Sequence, residues 1–568
     1  MTEQVHKPSS RFRIGVVLAV PASLVVRAFD LHVTNKDFLQ EQGDARALRV
    51  IPVAAHRGMI VDRHGEPLAV STPVDSIWAQ PRRFKASTRQ LANLARLLDM
   101  KPRQIKKLVD SKKKAGKEFV YLKRRINPSL AQKAIELGIP GLSMQREYRR
   151  YYPTGEVAAH VVGFTNVDDA GQEGVELAYD QWLKGTDGSQ LVMKDRLGRV
   201  VKPVELIKAP HAGKDLVLSI DRRLQYLTYR ELKRAVFENK AKSGSAVILD
   251  VETGEILAMV NQPSFNPNNR SDLQGYRYRN RVVTDTFEPG STVKPFTIAA
   301  ALESGKFKAT SIIDTSPGYI RVGKSVIRDI KNYGRMTLAS VIKKSSNVGA
   351  SKIALAIDPN IMVKIHQRVG FGEVTQSGLP GEVMGTLHQP RIWRDIERAT
   401  LSYGYGLSVT TLQLARSYLV LASDGLLKPL SIELQTGSVG GERAISVKHA
   451  RQIREMLKGV ITKGGTGTRA AVPGFHVAGK TGTVKKMGKH GYSEDKYVAT
   501  FVGIAPADNP RLVMAVTIHE PRGEHYYGGV VAAPVFSNVI TGALRLLDIA
   551  PDDLQEKPAT FAMLGGAQ

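Results

Sequence analysis

Residues 287–296 read Phe287-Glu288-Pro289-Gly290-Ser291-Thr292-Val293-Lys294-Pro295-Phe296. Pro289 fixes φ and Gly290 permits a positive φ, so Glu-Pro-Gly predicts a tight turn. Residues 297–302 are apolar and Ala-rich, which predicts a helix that stops at Gly305. Ser291 then falls in the helix's first turn, where free backbone N–H groups and the positive end of the dipole lie. Lys294, three residues on, shares its helical face. Pro295 fits only if it too lies in that first turn. A serine hydroxyl beside an amine desolvated by apolar neighbours is an activated nucleophile.

Ser-x-x-Lys also occurs at Ser111/Lys114, Ser340/Lys343 and Ser493/Lys496, and the first of these reads as a solvated basic face. What sets Ser291 apart is two stretches further down the chain. Residues 343–349, Lys-Lys-Ser-Ser-Asn-Val-Gly, place Ser345 and Asn347 two residues apart, just past a helical run. Ser-x-Asn recurs at Ser264/Asn266 in a Pro/Asn-rich loop, so it too carries weight only in company. Lys480-Thr481-Gly482, followed by Thr483, is the only Lys-Thr-Gly in the chain. It sits in a strand-like run, where glycine lets a ligand approach the backbone closely.

Composition bounds the remaining possibilities. A chain of 568 residues exceeds one ordinary core, and 42% hydrophobic with 24% charged residues argues against wholesale disorder. The net charge of +28 suits nucleic acid, an anionic membrane surface or an acidic polymer such as cell wall. The sequence has no zinc spacing, Walker-type loop or aromatic-basic RNA motif, so no nucleic-acid partner is expected. The absence of cysteine removes disulfides, zinc-thiolate sites and thiol nucleophiles, without fixing the compartment. No metal or organic cofactor is implied.

Residues 1–13 are polar, with Lys7, Arg11 and Arg13, and read as a cytoplasmic tail. Residues 14–26 are uncharged, and extension to 33 gives about twenty residues, the length that spans a bilayer. That extension includes Arg27 and Asp30 near the outer end, and the preceding basic residues favour an N-in orientation. The segment 14–33 reads as a single-pass anchor, with a cleaved signal and a core helix as alternatives. Within 34–210, residues 57–65 turn into a strand at 68–71, and 91–98 and 102–108 look helical. The Arg, Tyr, Gly and Glu cluster at 146–176 reads as turns and buried ion pairs. Residues 202–213, rich in Pro, Gly and Lys, read as a linker. The unit spanning 211–550 opens with a strand at 216–220, a helix at 224–237 and a hairpin of 246–249 with 256–260. It closes with strand-like runs at 475–484, 497–504 and 511–518. Strands at both ends with helices between predict an α+β domain, its helices packed on an antiparallel sheet. Residues 551–568 read as a tail.

In the order Ser-x-x-Lys, Ser-x-Asn, Lys-Thr-Gly, the three stretches resemble the active site of penicillin-binding proteins and serine β-lactamases. RGMIVDRHGEPLA (57–69), RRYYPTGEVAAHVVGF (149–164), GQEGVE (171–176) and ILDVETGEILAMVNQPSFNPN (248–268) resemble the class B, monofunctional penicillin-binding proteins. Residues 395–399 and 402–410 resemble the cell-division branch, because the elongation branch usually has Gly-Gln-Gly where this chain has Gly404-Tyr405-Gly406. The stretches at 464–470 and 526–536 fit the same group.

The resemblance implies an elongated mixed pedestal domain of the dimerisation type over 34–210, then a transpeptidase domain over 211–550. It implies that Ser291 attacks the carbonyl between the terminal D-alanines of a stem pentapeptide. Lys294, if neutral, would take the serine proton, although the identity of the base stays open. Ser345 would pass a proton to the leaving D-alanine, and Asn347 would bond the substrate amide. Lys480, with Thr481 and Thr483, would hold the carboxylate, and Gly482 would admit the donor peptide as an added strand. Backbone N–H groups of Ser291 and Thr483 would form the oxyanion hole. Implied partners are stem peptides of lipid II-derived nascent glycan, β-lactams as covalent inhibitors, an FtsW-type glycan polymerase, and other division proteins. The implied location is the bacterial inner membrane, reached through the N-terminal helix, with the catalytic domain in the periplasm. The alternatives are an elongation-type transpeptidase, a D,D-carboxypeptidase or β-lactamase-like hydrolase, and a non-catalytic division scaffold.

Overall fold

A computed structural model describes residues 21–39, 41, 48–194, 200–269, 274–437, 439–488 and 491–553. The expected tail 1–13, the first part of the expected anchor (14–20) and residues 554–568 lie outside the described residues. Two compact units are present. Among the described residues, one comprises those up to 57 with 71–149 and 184–213; the other comprises 58–70, 150–183 and those from 214 onward. The stretch 34–210, which the sequence suggests is continuous, is thus divided between them.

In the first unit, strands Leu48–Val53, Gly188–Lys194 and Val200–Lys208 form an antiparallel sheet in that order. Residues 202–208, expected to be part of a linker, are therefore an edge strand. Pro203 is tolerated there because an edge strand has one side without a ladder partner. Helix Thr88–Leu97 is started by Ser87, whose hydroxyl accepts from the Gln90 N–H in a reciprocal capping box. Helix Pro102–Lys114 begins on Pro102 at its first position. Leu94, Ile105 and Val109 from these helices pack with Ile77, Val120 and Leu122.

The second unit is built on five strands: β1 (Ser243–Asp250), β2 (Ile256–Gln262), β3 (Ala478–Gly488), β4 (Gly491–Ala505) and β5 (Leu512–His519). Their order is β2-β1-β5-β4-β3, antiparallel throughout, which leaves β3 on an edge. Seven helices matter for the argument: α1 (Arg222–Glu238), α2 (Lys294–Glu303), α3 (Leu338–Lys344), α4 (Asn347–Ala356), α5 (Thr411–Ala422), α6 (Val447–Ile461) and α7 (Ala533–Leu546).

Side chains alternate across a strand, and here both sheet faces are covered. Ala246 and Ile248 of β1 join a cluster with Leu232 of α1 and Phe536 of α7. Val247 and Leu249 join the opposite cluster, with Ala299 of α2 and Ala415 of α5. Burial of both faces explains why these strands read as continuous apolar runs rather than alternating ones. Each large aliphatic side chain so buried contributes roughly 1.5–3 kcal/mol. Among the described residues, one helical stretch, Gly528–Leu546, is long and apolar enough to cross a membrane. It is half buried, and Phe536, Ile540 and Leu544 belong to the sheet core, so it is a core helix. In the cluster at 146–176, Arg150 Nε lies 2.6 Å from Glu176 Oε1 with both side chains fully buried.

Candidate active site

The turn that carries Ser291 is set by close packing. Gly290 has φ 57°, and a Cβ there would lie 2.4 Å from Val484 Cγ1, so only glycine fits. Gly290–Val293 form a 3₁₀ turn that runs directly into α2, with Pro295 in its first turn. The Tyr418 hydroxyl donates to the Thr292 carbonyl at 2.8 Å, and the Gly290 N–H donates to the Gly404 carbonyl at 3.2 Å. A Cβ on Gly404 would lie 2.1 Å from the Gly290 oxygen, so the Gly-Tyr-Gly stretch packs directly against this turn. Ser291 is half-buried and Lys294 is fully buried.

Ser345 ends α3 in the left-handed region, at φ 57°. Ser346 then caps α4, its hydroxyl accepting from the Gly349 N–H at 2.8 Å, and Asn347 opens the helix. Asp329 underpins this junction: it accepts from the Ser346 hydroxyl, from the Asn347 N–H at 2.6 Å and from the Val348 N–H at 3.1 Å. A carboxylate at a helix N-terminus satisfies free donors and the positive dipole end together. Sequence reasoning missed Asp329, because it lies in a loop well before the motif it supports.

The two motif lysines converge on one hydroxyl. Lys294 Nζ lies 2.6 Å from the Ser345 carbonyl oxygen, 2.8 Å from Asn347 Oδ1 and 3.1 Å from Ser345 Oγ. Lys480 Nζ lies 3.0 Å from the same Oγ and 3.1 Å from the Thr481 carbonyl oxygen. Burial holds the Lys294 amine well below the usual lysine range; Lys480 pushes it the same way, and Asp329 opposes. Burial lowers Lys480 to about 7. A neutral Lys294 has two N–H donors and one lone pair. With its donors on the Ser345 carbonyl and Asn347, the lone pair is left for the Ser345 hydroxyl. Ser345 can then donate to Lys294 while accepting from Lys480, a connected path for a proton. Among the described residues Ser291 Oγ makes no hydrogen bond to Lys294; catalytic contacts of this kind often tighten only in the substrate complex.

β3 brings Lys480, Thr481, Gly482 and Thr483 along the sheet edge. A Cβ at Gly482 would lie 3.0 Å from both the Pro289 carbonyl oxygen and Thr292 Cγ2, so this glycine lets the strand approach the turn that carries Ser291. The Thr481 and Thr466 hydroxyls are 2.8 Å apart, and Thr483 Oγ1 accepts from the Gly528 N–H at 3.0 Å. Ser291, Ser345, Asn347, Thr481 and Thr483 line one cavity of about 420 Å³, to which Arg469 and Tyr527 also contribute. A larger cavity, about 830 Å³ and lined by Glu288, Phe371, Leu387 and Met487, contains none of the three motifs. Among the described residues, His476, Asp508 and Asp552 form the one group with ligand atoms close enough for a cation. Lys458 already pairs with Asp508, and the group is outside the Ser291 cavity.

Residues 244–541 match the family described as penicillin binding protein transpeptidase domain, and residues 52–218 match the penicillin-binding protein dimerisation domain. The chain belongs to the class B penicillin-binding proteins. It is 46% identical to the peptidoglycan D,D-transpeptidase FtsI of Escherichia coli, over 97% of this chain and 94% of that one. Identity to the probable peptidoglycan D,D-transpeptidase PbpC of Pseudomonas aeruginosa is 43%, over 97% of both chains. Among solved structures, penicillin-binding protein 3 of Mycobacterium tuberculosis, complexed with aztreonam, aligns with a TM-score of 0.68 at 28% identity. That match covers 88% of this chain and 98% of the other. The transpeptidase domain of penicillin-binding protein 3 from Burkholderia pseudomallei aligns at 0.55 and 43% identity, over 59% of this chain and 97% of that domain. In this penicillin-binding protein, then, the three motifs lie within the matched transpeptidase domain.

Proposed function

We propose that this class B penicillin-binding protein is a peptidoglycan D,D-transpeptidase of septal wall synthesis, acting through a Ser291 acyl-enzyme. The observation that carries the reading is the convergence of two buried lysines on Ser345 beside the Ser291 cavity. Ser291 Oγ attacks the carbonyl carbon of the penultimate D-alanine, and its proton passes toward Lys294. The C–N bond breaks, and the terminal D-alanine leaves as an amine after receiving a proton through Ser345. Asn347 bonds the peptide amide, while Lys480, Thr481 and Thr483 hold the terminal carboxylate. Gly482 keeps the edge of β3 close enough for the donor to pair as an added strand. The backbone N–H groups of Ser291 and Thr483 stabilise the oxyanion. An amine from a neighbouring stem peptide then attacks the ester, forming the cross-link and freeing the serine.

The same reading places residues 14–33 across the inner membrane, with the pedestal and transpeptidase domain in the periplasm. Its support is that residues 21–29 are helical and expose Leu24, Val25, Val26 and Phe29. Division proteins and a glycan polymerase of the FtsW type are the partners this arrangement would meet, and co-purification from membranes tests them.

The decisive experiment treats the full chain in detergent with labelled penicillin and follows intact mass. A single stable adduct, lost in Ser291→Ala, is the expected result. An adduct that clears within seconds would indicate a hydrolase, and no adduct would leave a scaffold.

A further inference from the structure

The first compact unit carries a disproportionate share of the charge. Residues 71–149 contain 19 Lys and Arg against six Asp and Glu, a net +13 in a chain whose total is +28. The densest part is helix Pro102–Lys114, which buries Ile105 and Val109 and so turns a defined face to solvent. At 100° per residue, that outward face bears Arg103, Lys107 and Lys114, with Lys106 on its flank, all exposed. They form a stripe about 17 Å long at 1.5 Å per residue. The one acidic side chain among them, Asp110, makes no ion pair among the described residues. Nor do the four cations, among the described residues. Arg103 stands three and four residues from Lys106 and Lys107, like-charge spacings that weaken a helix, so local stability does not account for these cations.

We propose that this stripe is a docking surface for the uncross-linked glycan strand, bound through the carboxylates of its stem peptides. The proposal rests on the transpeptidase reading, which makes a polymer with repeated carboxylates the substrate. Lysine predominates in the stripe, and lysine is a flexible, strongly hydrated point charge suited to repeated anions in varying positions. Arginine, the residue for fixed bidentate recognition, is the minority. Such a surface raises the local concentration of substrate strands and is screened by salt.

The test uses the full chain in neutral-lipid nanodiscs and fluorescently labelled, soluble, uncross-linked glycan strands that keep their stem peptides. Binding is read by anisotropy across a salt series. The expected result is binding that weakens steeply with salt and falls about tenfold or more in the triple variant K106E/K107E/K114E. Acylation by penicillin, which reports the fold and the Ser291 site, should be unchanged in that variant. Strands stripped of their stem peptides should not bind. Equal binding by the variant, or equal binding of stripped strands, overturns the proposal. Lysine-dependent binding to phosphatidylglycerol vesicles without binding to strands would assign the face to lipid instead. Failure of penicillin to acylate the wild type would count against the transpeptidase reading, not against the charge argument.

Discussion

Lys294 and Lys480 share a single hydroxyl: their Nζ atoms lie 3.1 and 3.0 Å from Ser345 Oγ. Two ammonium groups that close would repel strongly in a buried site, so at most one is stable as a cation near neutral pH. Burial lowers both amines, and the Lys480 charge lowers Lys294 further, which assigns Lys294 the neutral role and Lys480 the charge.

That assignment predicts a falling limb in the pH profile of acylation. The second-order acylation constant reports ionisations of the free enzyme. Lys480 is lowered to about 7, so above that pH it loses the proton that attracts the penicillin carboxylate. The constant should fall as pH rises through about 7. In Lys480→Arg the guanidinium stays charged, and the limb should vanish even if the maximum rate drops. Stopped-flow acylation across pH checks this; an unchanged limb in the arginine variant contradicts the assignment.

Asp329 is predicted to be a positioning residue. Removing it in Asp329→Ala frees the N–H groups of Asn347 and Val348 and the Ser346 hydroxyl, so Asn347 loses its fixed placement. Acylation should fall on the order of 10–100-fold, the scale of a misplaced site group. The carboxylate also favours the charged form of Lys294, so its loss should move any rising limb toward lower pH. A purely structural role would lower the melting temperature without moving the limb.

How much of this was legible before the fold depends on the range of the contact. Ser291, Lys294 and the turn at Gly290 are local, and turn and helix chemistry place them directly. Ser345 and Asn347 could be read as a motif, but their link to Lys294 spans 51 and 53 residues and had no local signal. Asp329 lacked one for the same reason. The sheet order, which puts β3 on the edge beside the nucleophile turn, is a long-range property that strand patterns do not encode. Residues 202–208 were misread because Lys and Pro suggest a linker, although an edge strand accommodates both. The division of 34–210 between two units was equally invisible, since segments 58–70 and 150–183 join distant sequence only through tertiary packing.

The packing of Gly404 on Gly290 makes a steric prediction. Gly404 has φ 90°, and its added Cβ would meet the Gly290 backbone at 2.1 Å, with no flexible atom to give way. Gly404→Ala must therefore displace the nucleophile turn or strain itself by about 1–3 kcal/mol. A displacement of about 1 Å at Ser291 is expected to slow acylation about 100-fold. Acylation near the wild-type rate would show that the turn relaxes elsewhere. Far-ultraviolet circular dichroism should remain native.

The buried Arg150–Glu176 pair predicts a stability loss separable from chemistry. Both side chains are fully buried, with Nε and Oε1 2.6 Å apart. Arg150→Ala removes the guanidinium 2.6 Å from a fully buried carboxylate, and removing one partner of a buried pair costs about 3–5 kcal/mol. Replacing both partners, as in Arg150→Met with Glu176→Leu, removes both charges of this pair and should recover most of that loss. Neither residue lines the Ser291 cavity, so the folded fraction of each variant should acylate at the wild-type rate. Melting temperature and acylation rate measured on the same preparations separate the two effects. A double variant no more stable than Arg150→Ala would mean that other contacts of these side chains, rather than the unbalanced charge, set the loss.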